Sequence, residues 1–165
     1  MHDISGRLLE TGSRPVCLSF EMMMTADHAI DIRPATIDDR DSALALIEQF
    51  VSRGKILSRT LDELEHVLAN GYVALQEELV VGFVTLEIYS HKLAEIRSLV
   101  VDDTMQGQGI GRRLVETCVE RARERGVFEV MAVSSSEDFF RTCGFDFTLP
   151  GEKKAFFLQT RPKHS

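Results

Sequence analysis

The residues of this chain best suited to chemistry gather in one short window. Gln106-Gly107-Gln108-Gly109-Ile110-Gly111 lies between an apolar run, Ile96 to Val101, and an amphipathic run that begins at Leu114. A glycine-rich turn leading from a strand into a helix bares backbone N–H groups at the positive end of the helix dipole, which makes an anion cradle. Glycine suits it because a Cβ would hold a phosphate off the backbone, and because such turns often require positive φ. Arg112 and Arg113 follow directly. Just upstream, Glu95 is a carboxylate on an otherwise apolar strand, where it has to be paired, solvated or perturbed. The two-residue period of a strand puts Arg97 on the same face as Glu95.

Spacing narrows the choice of phosphate. A dinucleotide fingerprint requires G-x-G-x-x-G, but Arg112 stands three residues after Gly109 and no parallel βαβ unit precedes the turn. A P-loop requires G-x-x-x-x-G-K-[ST], whereas Gly111 is followed by Arg112-Arg113. A connector with no ligand would satisfy the alternating glycines equally well, so the flanking segments have to decide.

Those segments read as one ordered domain. Ile30 and Ile32 alternate with charged residues as in a short strand that ends at Pro34. Thr36 with Asp38 and Asp39 signals a helix start, and Ala43, Leu44, Ile47, Phe50 and Val51 repeat at helical spacing until Arg53-Gly54. A second helix starts at Thr60, carries Leu61, Leu64, Val67 and Leu68 on one face, and stops at Asn70-Gly71. Tyr72 to Gln76 and Leu79 to Tyr89 form a hairpin across Glu77-Glu78, and Leu93 to Val101 is a third strand. After the glycine turn, Leu114, Val115, Cys118, Val119 and Ala122 share a helix face that ends at Gly126. Val127 to Val133 is a strand, Ser136 to Cys143 a short helix, and Phe145 to Leu149 and Lys154 to Thr160 the last strands. The order βααβββαβαββ predicts a mixed α/β (α+β) domain, with a largely antiparallel sheet of six to seven strands flanked by about four helices. It occupies residues 29–165; residues 1–28 have no sustained period and read as an N-terminal extension.

Composition sets further bounds. At 165 residues the chain makes one domain with a sizeable core. Nineteen basic against 26 acidic side chains give a net charge of -7, which argues against general nucleic-acid binding. Cys17, Cys118 and Cys143 are odd in number and unpaired in sequence, and the five histidines are scattered, so neither a disulfide framework nor a metal site is expected. No segment reads as a signal peptide or a membrane span, which points to a cytoplasmic protein with no membrane partner. A homodimer stays open.

The segment Gln106-x-x-Gly109-x-Gly111, with its preceding strand and following amphipathic helix, closely resembles the acetyl-CoA signature of the GNAT N-acetyltransferase superfamily. The resemblance spans about residues 30–160 and extends to bacterial short-form amino-acid N-acetyltransferases of the N-acetylglutamate synthase type. It is carried there by Leu57-Ser58-Arg59-Thr60-x-Asp62-Glu63-Leu64, Leu93-Ala94-Glu95-Ile96-Arg97-Ser98-Leu99 and Phe139-Phe140-x-x-Cys143-Gly144-Phe145. Ser58 replaces the usual proline, and Glu152-Lys153-Lys154-Ala155-Phe156-Phe157 lacks the cysteine-bearing tail of many such enzymes.

The resemblance implies acetyl-CoA as acetyl donor and direct transfer to the primary amine of a small molecule, with an amino acid such as glutamate as the suggested acceptor. It implies a pyrophosphate on the N–H groups of Gly107, Gln108, Gly109, Ile110, Gly111 and Arg112, with Gln106 opening the motif. Pantetheine amides would lie along Leu99, Val100 and Val101 as an added strand, with Phe140 flanking or simply core. By the same resemblance Glu95 falls where histone-type members carry their general base. Arg97 is suited to grip an acceptor carboxylate by a bidentate fork, with Arg59 and Lys154 as further candidates. The plainer reading pairs Arg97 with Glu95 and gives neither any chemistry. Many family members use a tyrosine acid from the helix that here offers Phe139 and Phe140, so the acid is unassigned among Ser134 to Ser136, Cys143 and water. A non-catalytic acyl-CoA sensor and a peptide N-acetyltransferase are the alternative readings.

Overall fold

The computed structural model of the chain describes residues 29–54, 60–149, 153–154 and 156–158. Within them runs the expected element order: β1 (Ile30–Pro34), α1 (Arg40–Ser52), α2 (Leu61–Ala69), β2 (Gly71–Gln76), β3 (Leu79–Ser90), β4 (Leu93–Val101), α3 (Ile110–Glu124), β5 (Glu129–Ala132), α4 (Glu137–Thr142), β6 (Thr148–Leu149) and β7 (Lys153–Lys154). The mixed α/β class is as expected, and the sheet count is corrected. Five strands make the sheet in the order β1-β2-β3-β4-β5, while β6 and β7 pair separately. The apolar run from Val127 overstates β5, because Val127 is spent on ending α3. Its N–H donates to Ala122 O at 2.9 Å and the Gly126 N–H to Arg123 O at 2.9 Å, with Gly126 at φ 66°. That is a Schellman stop, and it requires the left-handed glycine. The proposed extension, residues 1–28, lies outside the described residues, and the first described strand begins at Ile30 as expected.

All pairings are antiparallel except β4 with β5. The centre of β3 is buried on both faces, since helices cover both sides of the sheet. On one face α3 sets Leu114, Val115 and Cys118 against Val84, Leu86, Ala94 and Ile96. On the other, Ile47 and Phe50 of α1 and Val67 of α2 pack on Val73, Phe83 and Val100. The β2–β3 hairpin closes on Glu77 at φ 57°, a left-handed residue where a turn of this length calls for one and where glycine is usual.

One irregularity shapes everything downstream. Phe83 pairs with Val100 but Thr85 pairs with Arg97, so β4 carries one extra residue, and Ser98 sits at φ 55°. A single inserted residue flips the inside–outside alternation of a strand. Before it, Ala94 and Ile96 face α3 while Glu95 and Arg97 face the α1–α2 side; after it, Val100 has moved to the α1–α2 core.

Candidate active site

The bulge coincides with a split in the sheet. β4 and β5 are paired only from Leu93/Glu129 to Ile96/Ala132. Past that point β4 runs on to Val101 with no strand on that side among the described residues. A cleft of about 1170 Å³ opens in the gap. Glu95, Arg97 and Leu99 to Val101 line it from β4, Gly107, Gly109, Ile110, Gly111 and Arg112 from the turn, and Ser134 to Ser136 with Phe139 and Phe140 from the far wall.

The turn has the build of an anion site. Gly107 and Gly109 have φ of 81° and 79°, and Gly109 caps α3 in the left-handed conformation. The first helical bond is Arg113 N–H to Gly109 O at 3.1 Å, so the N–H groups just before it are the ones a helix leaves without an internal acceptor. A Cβ on either Gly107 or Gly109 would meet nothing within 4 Å, which leaves the approach to these amides open. α3 carries no acidic residue in its first turn to oppose an incoming anion. This donor set suits a diphosphate.

Gln106 and Gln108 do different work from the glycines. The Gln106 amide donates to Val101 O at 3.1 Å and to Asp103 Oδ1 at 2.9 Å, stapling the turn to the end of β4. Asp103 in turn bridges to Arg53 at the end of α1. Gln108 turns toward Met105 Sδ, 3.7 Å away. Phe139, which the sequence places in the resemblance motif but not among the cofactor contacts, stands over Gly111 with its ring 3.4 Å from where a Cβ would be, while Phe140 stacks edge-on with Phe139 and Phe145.

At the other end of the cleft, the Glu95 side chain is 14% exposed and its Oε2 accepts from the Tyr89 hydroxyl. Arg97 Nε lies 4.0 Å from the same oxygen, too long for a hydrogen bond. Glu87 stands opposite Glu95 in register, and its carboxylate faces His66 Nε2 of α2 at 2.9 and 3.1 Å. The hydrogen bond with Glu95 raises the pKa of Tyr89, as does partial burial, so this phenol stays a donor through the neutral range. Tyr89 and His66 were not among the residues picked from sequence, and no local pattern marks either of them. Of the proposed acceptor residues, Arg97 lines the cleft. Arg59 lies outside the described residues, and Lys154 lies on β7 paired with Thr148. Among the candidate acids, Ser134 to Ser136 line the cleft. The Cys143 thiol faces a separate groove beside α3, and burial pushes its pKa up. Among the described residues no group of three or more His, Cys, Asp or Glu is placed to hold a metal ion, and no helix is long and apolar enough to cross a membrane.

Comparison with known proteins agrees with this geometry. The model of the acetyltransferase (GNAT) family matches residues 37–145. An uncharacterized N-acetyltransferase of Chlorobaculum tepidum is 32% identical over 114 residues, covering 69% of this chain and 74% of its own. An amino-acid acetyltransferase of Mycobacterium tuberculosis is 33% identical over 121 residues, 70% of each chain. Among solved structures, a Mycobacterium tuberculosis protein in complex with CoA superposes with a TM-score of 0.64 at 27% identity, over 72% of this chain and 74% of that one. With the family model covering well over half of its length, the chain belongs to the GNAT family and is an acetyl-CoA-dependent N-acetyltransferase.

Proposed function

We propose that the protein transfers the acetyl group of acetyl-CoA directly to the amine of a small molecule, and that this acceptor is an amino acid. The observation that carries the reading is the meeting of Glu95 and Arg97 on one wall of the cleft whose other end is the glycine turn. The relative named amino-acid acetyltransferase supports the acceptor class.

Bound acetyl-CoA supplies an activated thioester. In this reading the amides of Gly107 to Arg112 hold the pyrophosphate, and the edge of β4 from Leu99 to Val101, which no strand pairs among the described residues, takes the pantetheine arm as a further strand. Glu95 removes the proton that blocks the acceptor's nitrogen lone pair, and Arg97 holds the acceptor carboxylate so that nitrogen faces the acyl carbon. As the N–C bond forms and the C–S bond breaks, the nitrogen gives up its second proton and the departing sulfur takes one up, and the Ser134 to Ser136 hydroxyls line the cleft where they can relay it. The bulge at Ser98 does the geometric work, since it lets Glu95 and Arg97 face the acceptor side while β4 parts from β5.

The test is thiol release from acetyl-CoA across a panel of amino acids. Turnover with at least one of them is expected, lowered on the order of a hundredfold in Glu95→Gln with acetyl-CoA affinity unchanged. Silence across the panel overturns the acceptor class, and full turnover by Glu95→Gln overturns Glu95 as base.

A further inference from the structure

Glu95 and Arg97 carry opposite charge, share a strand face two residues apart, and yet do not close into a hydrogen-bonded pair: Arg97 Nε stops 4.0 Å from Glu95 Oε2. The nearer claim on that oxygen comes from across the sheet, where the Tyr89 hydroxyl of β3 donates to it. We propose that Tyr89 is a positioning residue that holds the Glu95 carboxylate out of a close, hydrogen-bonded ion pair with Arg97, so that the two side chains act as separate groups on the acceptor. The proposal rests on the reading of Glu95 as base and Arg97 as acceptor-binding cation.

Four observations support it. An O–H to carboxylate bond is charge-assisted and short-ranged, whereas a partly exposed ion pair at 4.0 Å gains little, so the phenol prevails in the competition for one oxygen. Tyr89 keeps the proton it donates, as its raised pKa indicates. The neighbouring anion is already engaged, because Glu87 faces Glu95 in register but is held by His66 and does not compete for the phenol. Tyr89 is 52% exposed near the end of β3, so its hydroxyl is not needed for core packing.

If the phenol is removed, Glu95 is released toward Arg97 and both functions are impaired together. Tyr89→Phe is expected to lower kcat on the order of tenfold and to raise the acceptor KM about fivefold, with acetyl-CoA affinity and thermal stability unchanged. A merely structural role would move stability and acetyl-CoA binding as well. The decisive measurement is a double-mutant cycle at saturating acceptor. In an Arg97→Gln background there is no cation to capture Glu95, and Tyr89→Phe is expected to change kcat less than twofold. An equal loss in both backgrounds overturns the proposal, as does an unchanged acceptor KM in the single variant. Glu95→Gln separates the two levels: if it is fully active, the base reading itself falls, whereas an inactive Glu95→Gln beside an additive cycle rejects Tyr89 alone.

Discussion

Phe139 lies over Gly111 so closely that a Cβ there would stand 3.4 Å from the ring, at the edge of ordinary contact, while Gly109, two residues earlier, would have open space around a Cβ but sits at φ 79°. The two glycines are therefore needed for different reasons. At Gly109 a side chain is opposed by the left-handed backbone, which costs roughly 1–2 kcal/mol. At Gly111 the backbone is helical, and alanine there regains the roughly 1 kcal/mol that glycine costs in a helix. Gly109→Ala is expected to lower the unfolding free energy by about 1 kcal/mol and to weaken acetyl-CoA binding. Gly111→Ala is expected to leave stability equal or higher, and Gly111→Val to weaken binding by displacing Phe139. Thermal unfolding with calorimetric titration of acetyl-CoA distinguishes the three.

Arg97 reaches the cleft with its guanidinium partly exposed and without a hydrogen bond to Glu95. On the proposed reading, a cation so placed would hold the acceptor carboxylate in ground and transition states alike, which is uniform binding. Arg97→Ala is expected to raise the acceptor KM by about tenfold or more and to change kcat by less than about threefold. Amines without a carboxylate should be indifferent to the change. Initial rates with an amino acid and with its decarboxylated amine make the comparison, and equal effects on the two acceptors would remove Arg97 from carboxylate recognition.

Local signals carried the reading wherever a residue's own backbone preference decides the structure. Gly126 ends α3 and Gly109 caps its start, and each has the left-handed conformation that glycine allows at no cost. The side-by-side placement of Glu95 and Arg97 follows from strand period alone. What sequence did not reveal depends on partners distant in the chain. Ser98 carries the bulge although serine has no preference for positive φ, so nothing in Arg97-Ser98-Leu99 announces it. Among the described residues the sheet has five strands because β6 and β7 pair with each other and not with β5, and β5 is shorter than its apolar run because Val127 is drawn into the helix stop before it and Val133 after it is exposed. Tyr89 is a half-exposed strand residue until the β3–β4 register brings it to Glu95, and His66 likewise meets Glu87 only across α2 and β3. Tertiary pairing sets these contacts, and a single chain read locally contains no trace of them.

Acid sensitivity should centre on Asp39, away from the cleft. Its two carboxylate oxygens accept from Arg33 at 2.7 and 2.8 Å, and Oδ2 also accepts the Thr36 N–H at 2.7 Å and hydroxyl at 2.8 Å. The Arg33 bonds, chiefly, hold the Asp39 pKa at about 2 against 3.8 for an ordinary aspartate, with the Thr36 bonds assisting against the cost of burial. Because the folded-state value is the lower one, the contribution is fully present above about pH 4 and is lost as pH falls through about 2. The shift corresponds to about 2 kcal/mol at most, reduced to the extent that Arg33 is open to solvent. Asp39→Asn is expected to be less stable than the parent by about 1–2 kcal/mol at pH 6, with the gap narrowing between pH 4 and pH 2. Urea unfolding of both proteins across that range gives the answer, and a gap that stays constant with pH would mean that the pair does not carry the acid dependence.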